Sequence, residues 1–239
     1  MSEATSGATS GATEGAGAAA AGAAASGWTL PTEGEALTLV EADFVAAARD
    51  LDVEVAAVHA VAEVESGGRT GFDDKKRPKI LFEIHLFREH TNGRYDTSHP
   101  QLSAPYSARR RRRASYARDQ WVVINEAFAL DKEAAVKSAS WGMFQVLGSN
   151  AFDCGWTTLQ QFVTDMFTSE AQHMRAFLGF CRANGLVRHL KRHAWASFAA
   201  AYNGPSYADN AYDTKMANAY ARWSGHAVNH GGRRRRRRA

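Results

Sequence analysis

The chain has 239 residues and a mass of 26.0 kDa, room for one large domain or two small ones, and 45% of its residues are hydrophobic, enough for a real core. No stretch approaches the apolar length of a membrane span, and Met1-Ser2-Glu3-Ala4-Thr5 lacks the basic start and apolar core of a secretory signal, so synthesis in the cytoplasm without a signal peptide is expected. The formal charge of +4 comes from eleven arginines in two runs, Arg109–Arg113 and Arg233–Arg238; without them 18 basic residues face 25 acidic ones, a net of −7, and a mildly acidic body argues against a basic nucleic-acid-binding fold.

Residues 1–27 are nearly all Ala, Gly, Ser and Thr and read as a disordered tail. From Trp28 the pattern becomes globular and mostly helical. Thr38-Leu39-Val40-Glu41 reads as a capping box opening a helix to about Asp50, and Asp52 as the cap of a second helix ending at Glu65. The run Ile80–Phe87 fits either a strand or a buried helix. Residues 91–118, with Asn-Gly, two prolines and the first arginine run, read as a long surface loop. Helical stripes return at 119–130 and after caps at Asp131, Thr158 and Thr168. Trp195, Phe198, Ala199 and Tyr202 give a further stripe, and Met216, Ala217, Tyr220 and Trp223 the last. Cys181 shares an apolar face with Met174, Phe177 and Leu178, so it reads as a buried free thiol; two cysteines, Cys154 and Cys181, do not make a disulfide framework. The expectation is one mainly α globular domain over 28–224, with a small irregular or β element, between disordered ends at 1–27 and 225–239.

Glu65 closes its helix and is followed by Ser66-Gly67-Gly68. Ala62, Val61 and Val58 precede it by three, four and seven residues and share its face, so the carboxyl points along an apolar stripe. That setting, together with the helix C-terminus, disfavours the charged form and predicts a raised pKa, which suits a general acid near neutral pH. The ordinary alternative is a capping-region glutamate in water. Two more segments set small residues beside polar groups: Ser140-Trp141-Gly142-Met143-Phe144-Gln145 and Ala201-Tyr202-Asn203-Gly204-Pro205. Gly142 permits close backbone approach, Gln145 and Asn203 offer amides for a polyhydroxylated ligand, and Trp141 and Tyr202 offer flat faces for sugar rings or, equally, core packing.

In that order these motifs resemble the lysozyme-like superfamily and, more closely, the N-acetylmuramidase domain family of phage endolysins. The likeness runs through Ala62–Gly68, Arg77-Pro78-Lys79-Ile80-Leu81-Phe82-Glu83-Ile84-His85, Ser138–Gln145 and Tyr202–Pro205, and covers about residues 38–223. It implies an α+β lysozyme-like fold and a monomeric peptidoglycan hydrolase without cofactor or metal, lysing bacteria by cutting between N-acetylmuramic acid and N-acetylglucosamine. Glu65 would be the acid, with Ser66, Trp141, Gly142, Gln145, Tyr202 and Asn203 binding the glycan strand. Glycosidic cleavage normally takes a second carboxyl. Glu83 is the first candidate, against a structural role beside Arg77, Lys79 or His85; Asp73 and Asp74 are alternatives that would orient water.

Two other readings stay open. Lytic transglycosylases share Glu-Ser, Gly-x-x-Gln and Tyr-Asn-x-Gly, although here glycine follows Asn203 directly; and a binding module without catalysis would grip an anionic envelope or nucleic acid. The arginine runs read as solvated charge blocks, or as attraction to an anionic envelope. His189 and His193 have helical metal-ligand spacing but no third ligand nearby, and Glu170-Ala171-Gln172-His173 is a lone Glu-x-x-His with no second copy to build a dimetal site.

Overall fold

The structure is a computed structural model that describes residues 27–203, 208 and 210–225. The chain divides into two units, Met1–Leu30 and Pro31–Ala239, and every element below belongs to the second. Both expected tails lie largely outside the described residues, as does the Arg233–Arg238 run.

The order is α1 (Glu41–Leu51), α2 (Val55–Ser66), β1 (Ile80–Phe82), α3 (Ile84–His90), α4 (Arg109–Tyr116), α5 (Gln120–Leu130), α6 (Lys132–Lys137), β2 (Ala139–Trp141), β3 (Val146–Leu147), a 3-10 turn at Gly148–Asn150, α7 (Leu159–Thr168), α8 (Glu170–Ala183), α9 (Val187–Lys191), α10 (Trp195–Asn203) and α11 (Tyr212–Trp223). The mainly helical α+β expectation therefore holds. The run 80–87 is both of its options in turn: β1 fills its first half and α3 its second, with Glu83 as the N-cap residue between them.

Helix starts follow local chemistry. Asp119, Asp131 and Thr158 accept the N–H groups of Trp121, Ala134 and Gln161 and cap α5, α6 and α7. Three expected caps fall elsewhere. Helix α1 starts at Glu41 rather than Thr38, and Asp43 accepts the Val40 N–H at 2.9 Å. Asp52 is the left-handed end of α1, φ 54°, and Glu54 precedes α2. Ser169, one residue past Thr168, caps α8 because its backbone leaves α7 extended. The 91–118 segment also contains helix α4, since arginine is a good helix former. Arg112 explains how five like charges share one helix: its guanidinium lies 3.9 Å from the centre of the Tyr106 ring, while Arg109, Arg110, Arg111 and Arg113 face solvent.

Helix α2 is the buried axis, packed between α1 and α11, with Val58, Val61 and Ala62 all buried as their spacing predicts. The sheet is antiparallel in the order β1-β2-β3, with Leu81 opposite Ser140 and Trp141 opposite Val146. Trp141, Trp121, Phe162 and Phe167 build an edge-to-face aromatic core beneath it. Both cysteines are free and buried, and burial pushes the Cys154 thiol up to about 11. No helix among the described residues is long and apolar enough to cross a membrane.

Candidate active site

The segment after Glu65 stops α2 in a defined way. Gly67 and Gly68 have φ of 58° and 70°, the left-handed region that glycine enters at little cost. The Gly68 N–H reaches Glu63 O at 3.1 Å and the Gly67 N–H reaches Val64 O at 3.3 Å, the paired bonds of a Schellman stop. Glu65 is thereby fixed in the last turn, three residues past Ala62, the last buried residue of the helix. Ser66 Oγ accepts the Gly68 N–H at 3.1 Å.

Two open cavities meet at this glutamate. One, of about 390 Å³, has Phe144, Asn150, Phe180, Tyr202 and Tyr212 among its walls. The other, of about 420 Å³, is walled by Ser66, Arg69, Thr70, Lys79 and Gly142 among others. Glu65 and Gln145 line both. The arrangement is one cleft with a carboxyl at its middle, open on either side to an extended polymer.

Gln145 belongs to the four-residue turn Gly142–Gln145 between β2 and β3, entered by Gly142 at φ 70° and left by Gln145 at φ 51°. Its amide oxygen accepts from Ser140 Oγ at 3.0 Å, and its amide nitrogen donates to Gly142 O at 2.8 Å and Lys79 O at 3.2 Å. Within this geometry the side chain braces the turn against Lys79, the residue before β1. From the other side Tyr202 donates its hydroxyl to Phe144 O at 2.8 Å. Burial, and after it the charge of Glu65, hold the Tyr202 phenol well above its ordinary pKa, so it stays a donor; Tyr212 is raised by the same two causes.

The structure thus brings Glu65, Ser66, Gly142, Gln145 and Tyr202 to one cleft. It does not bring Trp141 there: that ring is 1% exposed, donates Nε1–H to Val136 O at 3.2 Å, and packs in the core, its ordinary alternative. The Asn203 side chain lies outside the described residues. Glu83 lines neither cavity; Tyr116 donates its hydroxyl to Glu83 Oε2 at 2.5 Å, and His85 Nδ1 is 3.3 Å from the same oxygen. Burial, then the bond to Glu83, keep the Tyr116 proton on. Asp73 is held by Arg77; burial opposes its ionisation, but the bonds from the Arg77 backbone and side chain prevail and lower its pKa. His193 packs at a tilt against Tyr220 with 4.2 Å between ring centres, and among the described residues no group of three His, Cys, Asp or Glu is placed to hold a metal.

Sequence reasoning missed the frame behind the cleft. Glu170 and His173 are 3% and 1% exposed. Glu170 accepts the Gly71 N–H at 2.7 Å and the Thr70 hydroxyl at 2.6 Å on one oxygen, and the Leu39 N–H at 2.9 Å on the other. His173 accepts the Met143 N–H on Nδ1 at 3.2 Å and donates from Nε2 to Met166 O at 2.8 Å, which fixes the neutral tautomer. Its ring is flanked by Gly71 and Gly142, where a Cβ at either position would stand 2.6 Å from an imidazole atom. The Glu-x-x-His spacing was the visible signal; its use is to hold both lips of the cleft.

A mainly helical body on a small antiparallel sheet, with a glutamate ending a buried helix at the middle of an open cleft, defines a glycosidase of the lysozyme-like, peptidoglycan-hydrolysing class. The family model of the N-acetylmuramidases matches residues 54–224, and the chain belongs to that family. Among solved structures it is similar to the endolysin of Burkholderia phage AP3, with a TM-score of 0.71 and 34% sequence identity over 83% of this chain and 73% of that one. No curated protein matches it.

Proposed function

We propose that the protein cleaves the bond between N-acetylmuramic acid and N-acetylglucosamine, with Glu65 protonating the glycosidic oxygen, and that this cleavage lyses bacteria. The observation that carries the reading is the place of Glu65: it stands where the two cavities meet, and it is the one carboxylate among the described residues that line them. The carbonyl end of α2 and the buried Val61 and Ala62 favour a proton-bearing carboxyl, while Arg69 and Lys79 on the adjoining wall favour the charged one. A strand laid along the cleft presents one inter-sugar oxygen to that proton. Cleavage of the C–O bond then leaves an oxocarbenium-like sugar, water supplies its hydroxyl, and the second water proton passes to a base.

Glu83 is the base we propose. Its backbone is extended, φ −107° and ψ 100°, so it continues the alternation of β1 and leaves on the side of Leu81, a wall of the Arg69 cavity, while Phe82 between them is buried. Tyr116 steadies the carboxylate. The four exposed arginines of α4 are a ready contact for an anionic envelope, by which the enzyme, made in the cytoplasm and acting after release, would gather at its substrate.

A second reading is favoured by the lack of another carboxylate among the described wall residues. A lytic transglycosylase uses one glutamate, and the hydroxyl of the muramyl sugar itself takes the place of water. Mass spectrometry of digested sacculi tests the choice. Reducing ends that have gained water are expected; anhydro ends would assign the chain to the second reading, and intact glycan would end both.

A further inference from the structure

The two halves of the cleft differ in charge. Around Tyr202 and Tyr212 the wall is aromatic and apolar, and among the described residues it carries no Lys or Arg. The half beyond Gln145 carries both Arg69 and Lys79. The Arg69 guanidinium forms no side-chain hydrogen bond or ion pair among the described residues, and the Lys79 ammonium donates to a neutral acceptor, Thr70 O at 2.6 Å. Other cations are paired with carboxylates, as Arg77 is with Asp73, Arg88 with Asp96 and Arg94 with Asp131.

Lys79 is held in place by a hydrogen bond, and Arg69 is exposed beside the end of α2. The Arg69 guanidinium lies over Gly67, at the carbonyl end of α2, where a positive charge is favoured. Lys79 is anchored through Thr70, which itself hangs on the buried Glu170. The ammonium keeps two of its three donors for a ligand. Two cations on this wall, with Glu65 its one carboxylate among the described residues, fit a substrate whose sugar bears acidic groups.

We infer that Arg69 and Lys79 recognise the carboxylates of the lactyl-peptide arm of muramic acid, so that the enzyme selects acid-bearing glycan over neutral glycan at this half of the cleft. The inference rests on the muramidase reading above and adds the feature of the substrate that is read. N-acetylglucosamine has no such group, and the neutral aromatic half suits it. Each contact is an ion pair at a solvated surface, so the two together are expected to change KM about three- to tenfold, with kcat retained.

The test compares peptidoglycan in its native state with the same material after carbodiimide coupling to ammonia, which turns its carboxylates into neutral amides. Release of reducing ends is followed for the full chain, for Arg69→Gln/Lys79→Gln, and for Lys79→Arg, at a salt concentration that screens the exposed arginine runs. The wild type is expected to show the lower KM on native walls. The double variant should lose most of that preference with kcat unchanged, and Lys79→Arg should keep it. A wild type indifferent to amidation, or a folded double variant with undiminished preference, would overturn the inference while reducing ends still appear and the muramidase reading stands. Release of no reducing ends from either wall would instead defeat the muramidase reading, and the inference with it.

Discussion

The Gly71 N–H donates to Glu170 Oε1 at 2.7 Å and thereby ties the lip of the cleft just after α2 to the first turn of α8. Glu170 meets two backbone N–H groups and one hydroxyl inside the protein, so it is a buried carboxylate with its acceptors used by donors. Glu170→Ala leaves those donors without a partner and is expected to cost about 2–4 kcal/mol. Urea denaturation measures it; a loss within about 0.5 kcal/mol would mean that water or a backbone shift replaces the carboxylate.

His173 gives the fold a defined pH dependence. Burial lowers its pKa from 6.5 to about 4, and the bond to Met166 O and the charge of Glu170 only partly oppose that. The unfolded chain takes up this proton below about pH 6.5, whereas the folded chain resists until about pH 4. Stability from this residue is thus complete above pH 6.5 and falls as the pH drops toward 4, by about 3 kcal/mol in all. The difference in unfolding free energy between wild type and His173→Gln should shrink by that order from pH 7 to 4. A difference independent of pH would contradict the neutral, buried assignment.

Gly142 is required twice over, by its φ of 70° and by the His173 ring that a Cβ would meet at 2.6 Å. Gly142→Ala is expected to destabilise by about 1–3 kcal/mol and to lower activity, since the turn it opens carries Gln145 into the cleft. Thermal unfolding and reducing-end release report the two effects. A variant as stable and as active as wild type would show that the turn adjusts freely.

Much of this was legible in the sequence, and the limits have physical causes. The stripe Val58, Val61, Ala62 with Glu65 after it, and the glycines that follow, gave both α2 and its end, because helical period and left-handed caps are local properties. Asp52 and Thr168 misled for an equally local reason: several capping residues stood side by side, and the turn of the chain decided among them. The run 80–87 was ambiguous because a short apolar stretch fits either period. Trp141 could not be placed, since stacking on a sugar and packing in a core ask for the same ring. Glu170 and His173 could not be given their role because their partners, Leu39, Gly71, Met143 and Met166, are mostly far off along the chain and contribute only backbone groups, which every residue has.

The proposed base has its own test. Glu83→Gln should keep the fold and lower kcat by at least about a hundredfold, and Tyr116→Phe, which removes only the hydroxyl on Glu83, by about tenfold. A Glu83→Gln enzyme with wild-type kcat would remove Glu83 from the chemistry and favour the single-glutamate reading.

If Glu65 delivers the proton, Glu65→Gln removes it while keeping the shape of the side chain, because the amide cannot act as the acid. Reducing ends released from purified peptidoglycan are counted for wild type and variant, with circular dichroism and sedimentation onto the same walls as controls for folding and binding. A fall of about a hundredfold or more is expected, to the background of the assay, with folding and wall binding intact. Release of reducing ends near the wild-type rate by a folded, pure Glu65→Gln protein would contradict it.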